Sequence, residues 1–143
     1  MNNEKDAIYT LLRDAYFGDG QFEGGGALVK HARESAENYA KRRRLAYYLN
    51  YTGPIVNASV DPIFRNEIKR EYTDTAKFKV FLDDSDRTGA DLQNYIRRLA
   101  VMAKLYGVVY VIVNNEPEIG ATVQDSLNKR ALPYLVHVLP SEV

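Results

Sequence analysis

An acidic loop near the middle of the chain has the residue types that come closest to a metal site. Asp84, Asp86 and Thr88 alternate along it and Gly89 follows, which is the spacing that opens a calcium-binding loop. Such a loop needs a bidentate glutamate at its twelfth position, and Tyr95 stands there. We therefore interpret the loop as a solvated turn leading into a capped helix, and we expect no metal and only weak calcium binding.

Two other sets of residues fall short of a phosphate site or a catalytic site. The glycines at 24–26, followed by Lys30, resemble part of a phosphate-binding loop, but the Gly-Lys-Ser/Thr ending is missing. The two histidines, His31 and His137, are far apart in sequence, and the chain has no cysteine. No local motif pairs a nucleophile with a base. The sequence predicts no cofactor and no enzymatic activity.

The densest run of charge is the basic cluster, which we define as Lys41, Arg42, Arg43 and Arg44. One interpretation is a patch that contacts DNA phosphates with the help of neighbouring tyrosines. A second is a solvated helix face paired with acids such as Glu34. A third is a subunit interface that docks on an acidic loop of a neighbouring copy. The chain has 19 basic and 19 acidic residues, so no global field attracts DNA.

The composition is that of a globular protein of ordinary size. The 143 residues are 45% hydrophobic and 27% charged, which fits one domain or domain fragment over 1–143. The start of the chain has no basic segment followed by an apolar one, so no secretory signal is predicted. The longest apolar run, 108–113, is far shorter than the roughly 20 residues of a membrane-spanning helix. We expect no membrane association.

The elements that must position these residues begin with helices. Apolar residues recur at helical spacing over 8–16 and predict an opening helix that stops at Gly18. The glycine-rich stretch 18–26 is predicted to be a mobile loop. A second helix is predicted from about 35 to 50, and a third, with proline in its first turn, over about 54–64.

The clearest helix of the sequence covers 92–106. Its apolar residues recur at steps of three and four, which is the spacing of one helical face. Thr88 and Asp91 approximate a capping box at its start. Gly107 is predicted to end it with a positive φ angle.

Two strands are predicted after that helix. The first, 108–113, is a β-branched run typical of a buried strand. The second, 132–139, contains Pro133, which indicates an edge strand or a strand start. The stretch 118–131 is predicted as a loop or short helix, and 77–82 fits either a short strand or part of a helix. The fold class is therefore α+β: N-terminal helices, then a helix–strand unit and a small sheet.

Several short stretches, none specific by itself, stand in an order that resembles one protein family. They are His31-x-x-Glu34-Ser35-x-x-x-Tyr39-x-x-Arg42-Arg43, Tyr48-Leu49-Asn50-Tyr51, Ile63-Phe64-Arg65, Asp84-x-Asp86-x-x-Gly89-x-x-Leu92, Leu105-Tyr106-Gly107, Pro133-Tyr134 and Leu139-Pro140-Ser141-Glu142. This ordered set is similar to the N-terminal half of tailed-bacteriophage portal proteins, the head-to-tail connectors. The resemblance covers about 31–143. It departs from the family after the first strand, where Asn114 or Asn115 stands in place of an expected aspartate.

The resemblance implies a structural subunit with a wing-type α+β region over 31–143, preceded by a helix and a glycine-rich loop over 1–30. Such subunits form a ring, typically a dodecamer, at one capsid vertex. The ring passes double-stranded DNA during packaging and ejection, docks the terminase, and joins the capsid to neck and tail proteins. The implied location is the virion, after synthesis in the cytoplasm of a bacterial host from a phage or prophage gene.

Two further interpretations accompany the resemblance. Family members are several times longer and this sequence ends directly after a predicted strand, so we interpret it as an N-terminal fragment. The alternative function is a stand-alone α+β protein-binding or adaptor domain. That domain would use the basic cluster and the eleven tyrosines of the chain, because tyrosine suits protein interfaces.

Overall fold

The computed structural model of the protein describes most of the chain, namely residues 3–73, 76–115, 122, 124–125 and 131–142. The chain forms two compact units, Met1–Ala58 and Ser59–Val143. Within the described residues, helices are combined with a two-stranded antiparallel sheet, which confirms the predicted α+β class. The stretch 118–131, for which a loop or short helix was predicted, lies largely outside the described residues.

The first helix, α1, covers Asn3–Phe17 and ends where the sequence predicts. Gly18 follows with a φ of 76°, in the left-handed region that glycine adopts without a steric penalty. Beyond it, a kinked 3₁₀ helix, Gly20–Gly25, occupies much of the stretch for which a mobile loop was predicted. The glycines of this stretch therefore allow tight turns, which their number alone did not indicate.

The buried side chain of Asp14 ties this stretch to the end of α1. The main-chain carbonyl of Asp14 also accepts hydrogen bonds, from the N–H groups of Gly18 at 2.7 Å and Asp19 at 3.2 Å. The Asp14 carboxylate accepts a hydrogen bond from the N–H of Gln21 at 3.1 Å. That bond holds the pKa of the carboxyl below its usual range. Gly20 passes so close that a Cβ atom there would collide with the same carboxylate.

The second helix, α2, covers Ala36–Leu45 and is shorter than predicted. It begins as expected, because the Ser35 hydroxyl accepts a hydrogen bond from the N–H of Asn38 at 3.2 Å. The prediction that it continues to about residue 50 is wrong. Ala46 already has extended angles, with φ −75° and ψ 141°, and the segment 46–51 contains no helix, turn or bend.

Asn50 is the physical reason for this early end. Its side-chain amide donates a hydrogen bond to the carbonyl of Tyr16, near the end of α1, at 2.7 Å. Its side-chain oxygen accepts one from the N–H of Gly53 at 3.0 Å. Gly53 lies in the first turn of the third helix, α3, which covers Thr52–Val60. One side chain thus fixes the chain between α2 and α3, and a helix running through 46–51 would remove it from this place.

The second unit contains the two remaining α-helices. The fourth helix, α4, covers Ala76–Asp83 and settles the strand-or-helix question for that segment. The fifth, α5, covers Leu92–Tyr106 as predicted. Its cap is Asp91, whose carboxylate accepts a hydrogen bond from the N–H of Asn94 at 2.9 Å. The predicted capping role of Thr88 is therefore wrong, since Thr88 hydrogen-bonds within the preceding acidic loop instead.

The sheet pairs strand β1, Tyr110–Asn114, with strand β2, Tyr134–Val138, in antiparallel orientation. Ile112 stands opposite Val136 at the centre of the register. Pro133 directly precedes β2, which agrees with its predicted position at a strand start. Both strands are shorter than the sequence analysis predicted.

The prediction that 108–113 forms a buried strand is wrong. Every residue of β1 is exposed, with Ile112 at 53% and Val113 at 68% of full exposure. On β2, His137 approaches the Tyr95 ring of α5, with ring centroids 6.1 Å apart. A two-stranded sheet is too small for helices to pack over all of its surface. In the described part of the chain no third strand lies beside β1. β-branched composition predicts a strand but not the layer that covers it.

The core of the second unit lies along one face of α5. Tyr95 is fully buried there, and the hydrophobic residues around it follow the helical spacing found in the sequence. The buried hydrophobic residues on α5 and before β2 are Tyr95, Val101, Leu105, Tyr106, Ala131 and Leu132.

Replacing Gly107 tests the junction between α5 and β1. Gly107 caps α5 with φ 83° and ψ −26°, and its N–H donates to the carbonyl of Ala103 at 2.9 Å. A Cβ atom would meet nothing within 4 Å, so the cost of substitution is conformational. We expect Gly107→Val to lower the free energy of unfolding by about 1–3 kcal/mol. Gly107→Asn is the control, because asparagine tolerates this conformation. Equal urea midpoints for the two variants would contradict the assignment.

Candidate functional site

The basic cluster lies on α2, a helix without buried residues. Lys41 pairs with Glu37 one turn earlier, with 2.9 Å between Nζ and Oε1. Arg42 makes two hydrogen bonds to the Glu34 carboxylate, at 2.9 Å from Nε and 2.7 Å from Nη2. The predicted pairing of this face with acids therefore describes the first half of the cluster. Such surface ion pairs contribute little to stability, but they neutralise the charges of Lys41 and Arg42.

The Arg42–Glu34 pair also organises the chain before α2. Arg42 Nη2 donates to the carbonyl of Val29 at 2.9 Å, and the Glu34 carboxylate accepts from the N–H of His31 at 3.3 Å. The hydrogen bond from Arg42 is the largest influence on Glu34 and lowers the pKa of its carboxyl. The same bond raises the pKa of the Arg42 guanidinium. These opposite shifts describe one ion pair that holds the 29–34 segment against α2.

The second half of the cluster is different. In the described part of the chain, neither Arg43 nor Arg44 forms an ion pair or a side-chain hydrogen bond, and both side chains are exposed. The Arg43 guanidinium lies 5.9 Å from the centre of the Tyr39 ring, which orients it without neutralising it. Two unpaired cations are few beside the roughly 6–10 phosphate contacts of a typical DNA-binding protein.

A strip of exposed apolar side chains follows directly after these arginines. Leu45, Tyr47, Leu49 and Tyr51 are exposed at 77%, 83%, 57% and 64%, and we call them the apolar strip. The intervening residues are half-buried, so the side chains alternate in the way typical of an extended strand. The sequence analysis missed this strip because it placed these residues on a helix.

The inward-facing residues fix the strip in place. The Tyr48 ring packs on Phe22, with centroids 4.4 Å apart, and its hydroxyl donates to the carbonyl of Ala15 at 3.1 Å. Asn50 makes the two bonds described above. The main-chain N–H and C=O groups of residues 47–50 hydrogen-bond to no other residue in the described portion. The strip is thus an anchored segment whose main-chain edge is unpaired.

The acidic loop resembles a metal site in sequence only. Asp86 accepts hydrogen bonds from the Thr88 N–H at 2.9 Å and from its hydroxyl at 2.8 Å. The other carboxylate oxygen pairs with the guanidinium of Arg98 on α5. Asp84 accepts from the N–H of Gly89 at 2.9 Å. These carboxylates are used by the loop itself and by Arg98, and among the residues described there is no cluster of three or more His, Cys, Asp or Glu that could hold a metal.

The Asp86–Arg98 pair joins the acidic loop to α5. The Asp86 side chain is only 5% exposed. Burial alone would raise the pKa of its carboxyl, but the hydrogen bonds from Thr88, Arg98 and Ala90 outweigh burial and lower that pKa. Arg98 also lies over the Tyr95 ring, 5.4 Å from its centre. Sequence analysis missed this pair because its members are twelve residues apart and on different elements.

The remaining candidate residues each have local contacts within their own compact unit. His31 and His137 belong to different compact units. His31 accepts a hydrogen bond from the N–H of Arg33 at 3.2 Å, and His137 packs near Tyr95. Of the glycines at 24–26, Gly25 packs against α2: a Cβ there would lie 2.8 Å from the carbonyl oxygen of Arg43.

Comparison with protein-family models and with curated proteins finds no match for this chain. In the portion that the structure describes, no helix is both long and apolar enough to cross a membrane.

Asp86→Asn tests whether this carboxylate holds the acidic loop on α5. The variant keeps the size of the side chain but removes the charge that pairs with Arg98, so we expect the free energy of unfolding to fall by about 1–3 kcal/mol at pH 7. Because the folded-state pKa of Asp86 is lowered, its contribution is present above the unfolded pKa of about 4 and is lost as pH falls through the folded value. Urea unfolding of wild type and variant should therefore converge toward pH 2.

The matched control is Asp83→Asn. Asp83 is exposed at the end of α4, and among the described residues it forms no ion pair or hydrogen bond through its side chain. Its unfolding free energy should stay within about 0.5 kcal/mol of wild type. An Asp86→Asn variant as stable as this control at pH 7 would contradict the role assigned to Asp86.

Arg42→Gln tests the ion pair on α2. Because Arg42 is the main cause of the low pKa of Glu34, removing its charge should raise that pKa toward the ordinary range of a glutamate. The measurement is an NMR titration of the Glu34 side-chain carboxyl carbon. Arg44→Gln removes a charge from the same helix that forms no ion pair among the described residues, and it should leave the titration nearly unchanged. Equal effects of the two substitutions would show that Glu34 responds to the general field of the cluster.

Proposed function

We propose that the chain is the wing-type region of a phage or prophage portal subunit, a structural component of the ring at one capsid vertex. The ordered set of short motifs from His31 to Glu142 supports this proposal. The α+β fold is compatible with it. The ring, typically of twelve subunits, would pass double-stranded DNA and contact terminase, capsid and neck or tail proteins.

The observation that carries the proposal is the exposure of β1. All five of its residues are exposed, although four of them are Tyr, Val or Ile. Contiguous apolar surface of this kind marks an interaction site in a soluble protein. A ring subunit needs such surfaces, because each copy is covered by its neighbours and by the rest of the assembly.

A groove beside β1 adds to this uncovered surface. Phe78 and Phe81 of α4 line one side of it, and Val113 and Leu135 of the sheet line another. Its volume is about 370 Å³ and it is open to solvent. The groove and β1 belong to the same compact unit, so this unit offers a broad apolar surface to a neighbour.

The polar residues support a structural rather than a catalytic role. Asp86 and Arg98 hold the acidic loop on α5, and Glu34 and Arg42 hold the segment before α2. Their charges are committed to each other and to main-chain N–H groups. The candidate residues for chemistry thus have functions within the fold.

The apolar strip favours the alternative function, a stand-alone protein-binding or adaptor domain. The strip lies in the first compact unit, where an anchored segment offers both apolar side chains and free main-chain groups. A binding domain needs only such a surface and no ring closure.

Electron microscopy of the product of the complete coding sequence tests the portal proposal. We expect rings of about twelve copies with a central channel, and we expect the gene to lie beside those of a terminase large subunit and a capsid protein. A monomeric product from a gene without such neighbours would contradict the proposal and favour the adaptor function.

A further inference from the structure

We propose that the apolar strip and the two unpaired arginines before it form a docking site for an extended peptide segment of a partner protein. The peptide adds as an antiparallel strand along residues 47–50. It carries apolar side chains at alternate positions and acidic residues at its C-terminal end. This inference rests on the contacts of the first compact unit and does not depend on the proposed ring.

The main chain supplies the first argument. The N–H and C=O groups of residues 47–50 have no hydrogen-bond partner in the described portion of the chain. An unpaired extended segment is a template for another strand. Proteins usually protect such edges with lysine, proline or a bulge, and the sequence from Leu45 to Tyr51 contains no charged residue and no proline. This edge is therefore open to pairing.

The side chains supply the second argument. Tyr47, Leu49 and Tyr51 alternate with half-buried residues along the segment, and Leu45 precedes them at the end of α2; all four are more than half exposed. An added strand brings its own alternate side chains beside them, at the separation at which aromatic and aliphatic cross-strand pairs are stabilising. The partner must therefore be apolar at every second position.

Pre-organisation supplies the third argument. Tyr48 and Asn50 hold the segment extended through their contacts with Phe22, the end of α1 and the start of α3. A peptide that adds here does not have to order the receiving strand, so little of the binding free energy is lost to conformational entropy.

The positive charges before the strip indicate which end of the peptide is acidic. Arg43 and Arg44 precede the strip and form no ion pair with any described residue, whereas Lys41 and Arg42 are already matched by Glu37 and Glu34. Antiparallel pairs are the more stable kind, and in an antiparallel pair the C-terminal end of the partner passes the N-terminal end of the strip. Carboxylates at that end of the peptide would meet the two free guanidinium groups.

The test uses the full chain and two labelled synthetic peptides. The probe is acetyl-Val-Thr-Val-Thr-Val-Asp-Asp-amide, and its control replaces the two aspartates with lysines. Fluorescence anisotropy at low ionic strength should show saturable binding of the acidic peptide and about tenfold weaker binding of the basic one. The difference is expected because two attractive surface charge pairs become repulsive. The double variant Arg43→Glu/Arg44→Glu should reverse that order of affinity.

Two further measurements separate docking on the strip from general charge attraction. Saturation with the acidic peptide should slow amide hydrogen exchange within residues 47–50, because main-chain pairing protects these groups. Tyr47→Lys should weaken binding several-fold. Val29→Lys, which places the same charge on an apolar residue of the same unit that is 84% exposed, should not. Absence of saturable binding, equal binding of the two peptides, or unchanged exchange at 47–50 would overturn the proposal.

Discussion

The two hydrogen bonds made by the Asn50 side chain decide the shape of the first compact unit. One reaches the carbonyl of Tyr16 near the end of α1, and the other reaches the N–H of Gly53 at the start of α3. Helix ends leave main-chain groups without partners, and here one amide satisfies a group at each of two helices. Because a helix through 46–51 would carry Asn50 away from both, the chain after Leu45 is extended.

The exposed surface of this unit follows from that constraint. An extended segment alternates its side chains, so anchoring Tyr48 and Asn50 on the inside turns Tyr47, Leu49 and Tyr51 outward, next to the exposed Leu45 at the end of α2. Glu34 and Glu37 neutralise the first half of the basic cluster, and within the described residues Arg43 and Arg44 form no ion pair. The apolar strip therefore follows directly after two cations that form no ion pair within that part of the chain.

The second unit shows the same relation between a polar anchor and an uncovered surface. The Asp86–Arg98 pair holds the acidic loop on α5, and α5 buries Tyr95 and the apolar residues along its face. Helix and loop together cover little of β1. Both units therefore combine an interior held by polar anchors with apolar surface that a partner could bury. The portal proposal and the adaptor proposal both rest on such surface.

The sequence predicted the elements whose signals are local. The period of apolar residues predicted α5, and Gly107 predicted its end, because a left-handed cap favours glycine directly after the helix. The pairing of this helix face with acids such as Glu34 was among the predicted alternatives, because Glu34 and Arg42 are only eight residues apart in sequence. The basic cluster was correctly found as a feature, but its division into paired and free halves depends on the positions of individual carboxylates.

What the sequence did not predict depends on distant partners. The end of α2 is set by a carbonyl 34 residues away from Asn50, and the tyrosine-rich segment before it is compatible with a helix by itself. The Asp86–Arg98 pair joins a loop to a helix, whereas the sequence analysis interpreted that loop as a solvated turn. The exposure of β1 was missed because buried and exposed strands can share the same β-branched composition.

The conformation of residues 46–51 in solution tests this account most directly. Backbone chemical shifts and three-bond couplings of the free chain report it residue by residue, and amide exchange reports its hydrogen bonding. The account predicts helical shifts that end at Leu45, extended values through 46–51, and fast exchange at 47–50. Helical shifts continuing to Asn50, with protected amides, would contradict it and restore the longer helix that the sequence alone favours.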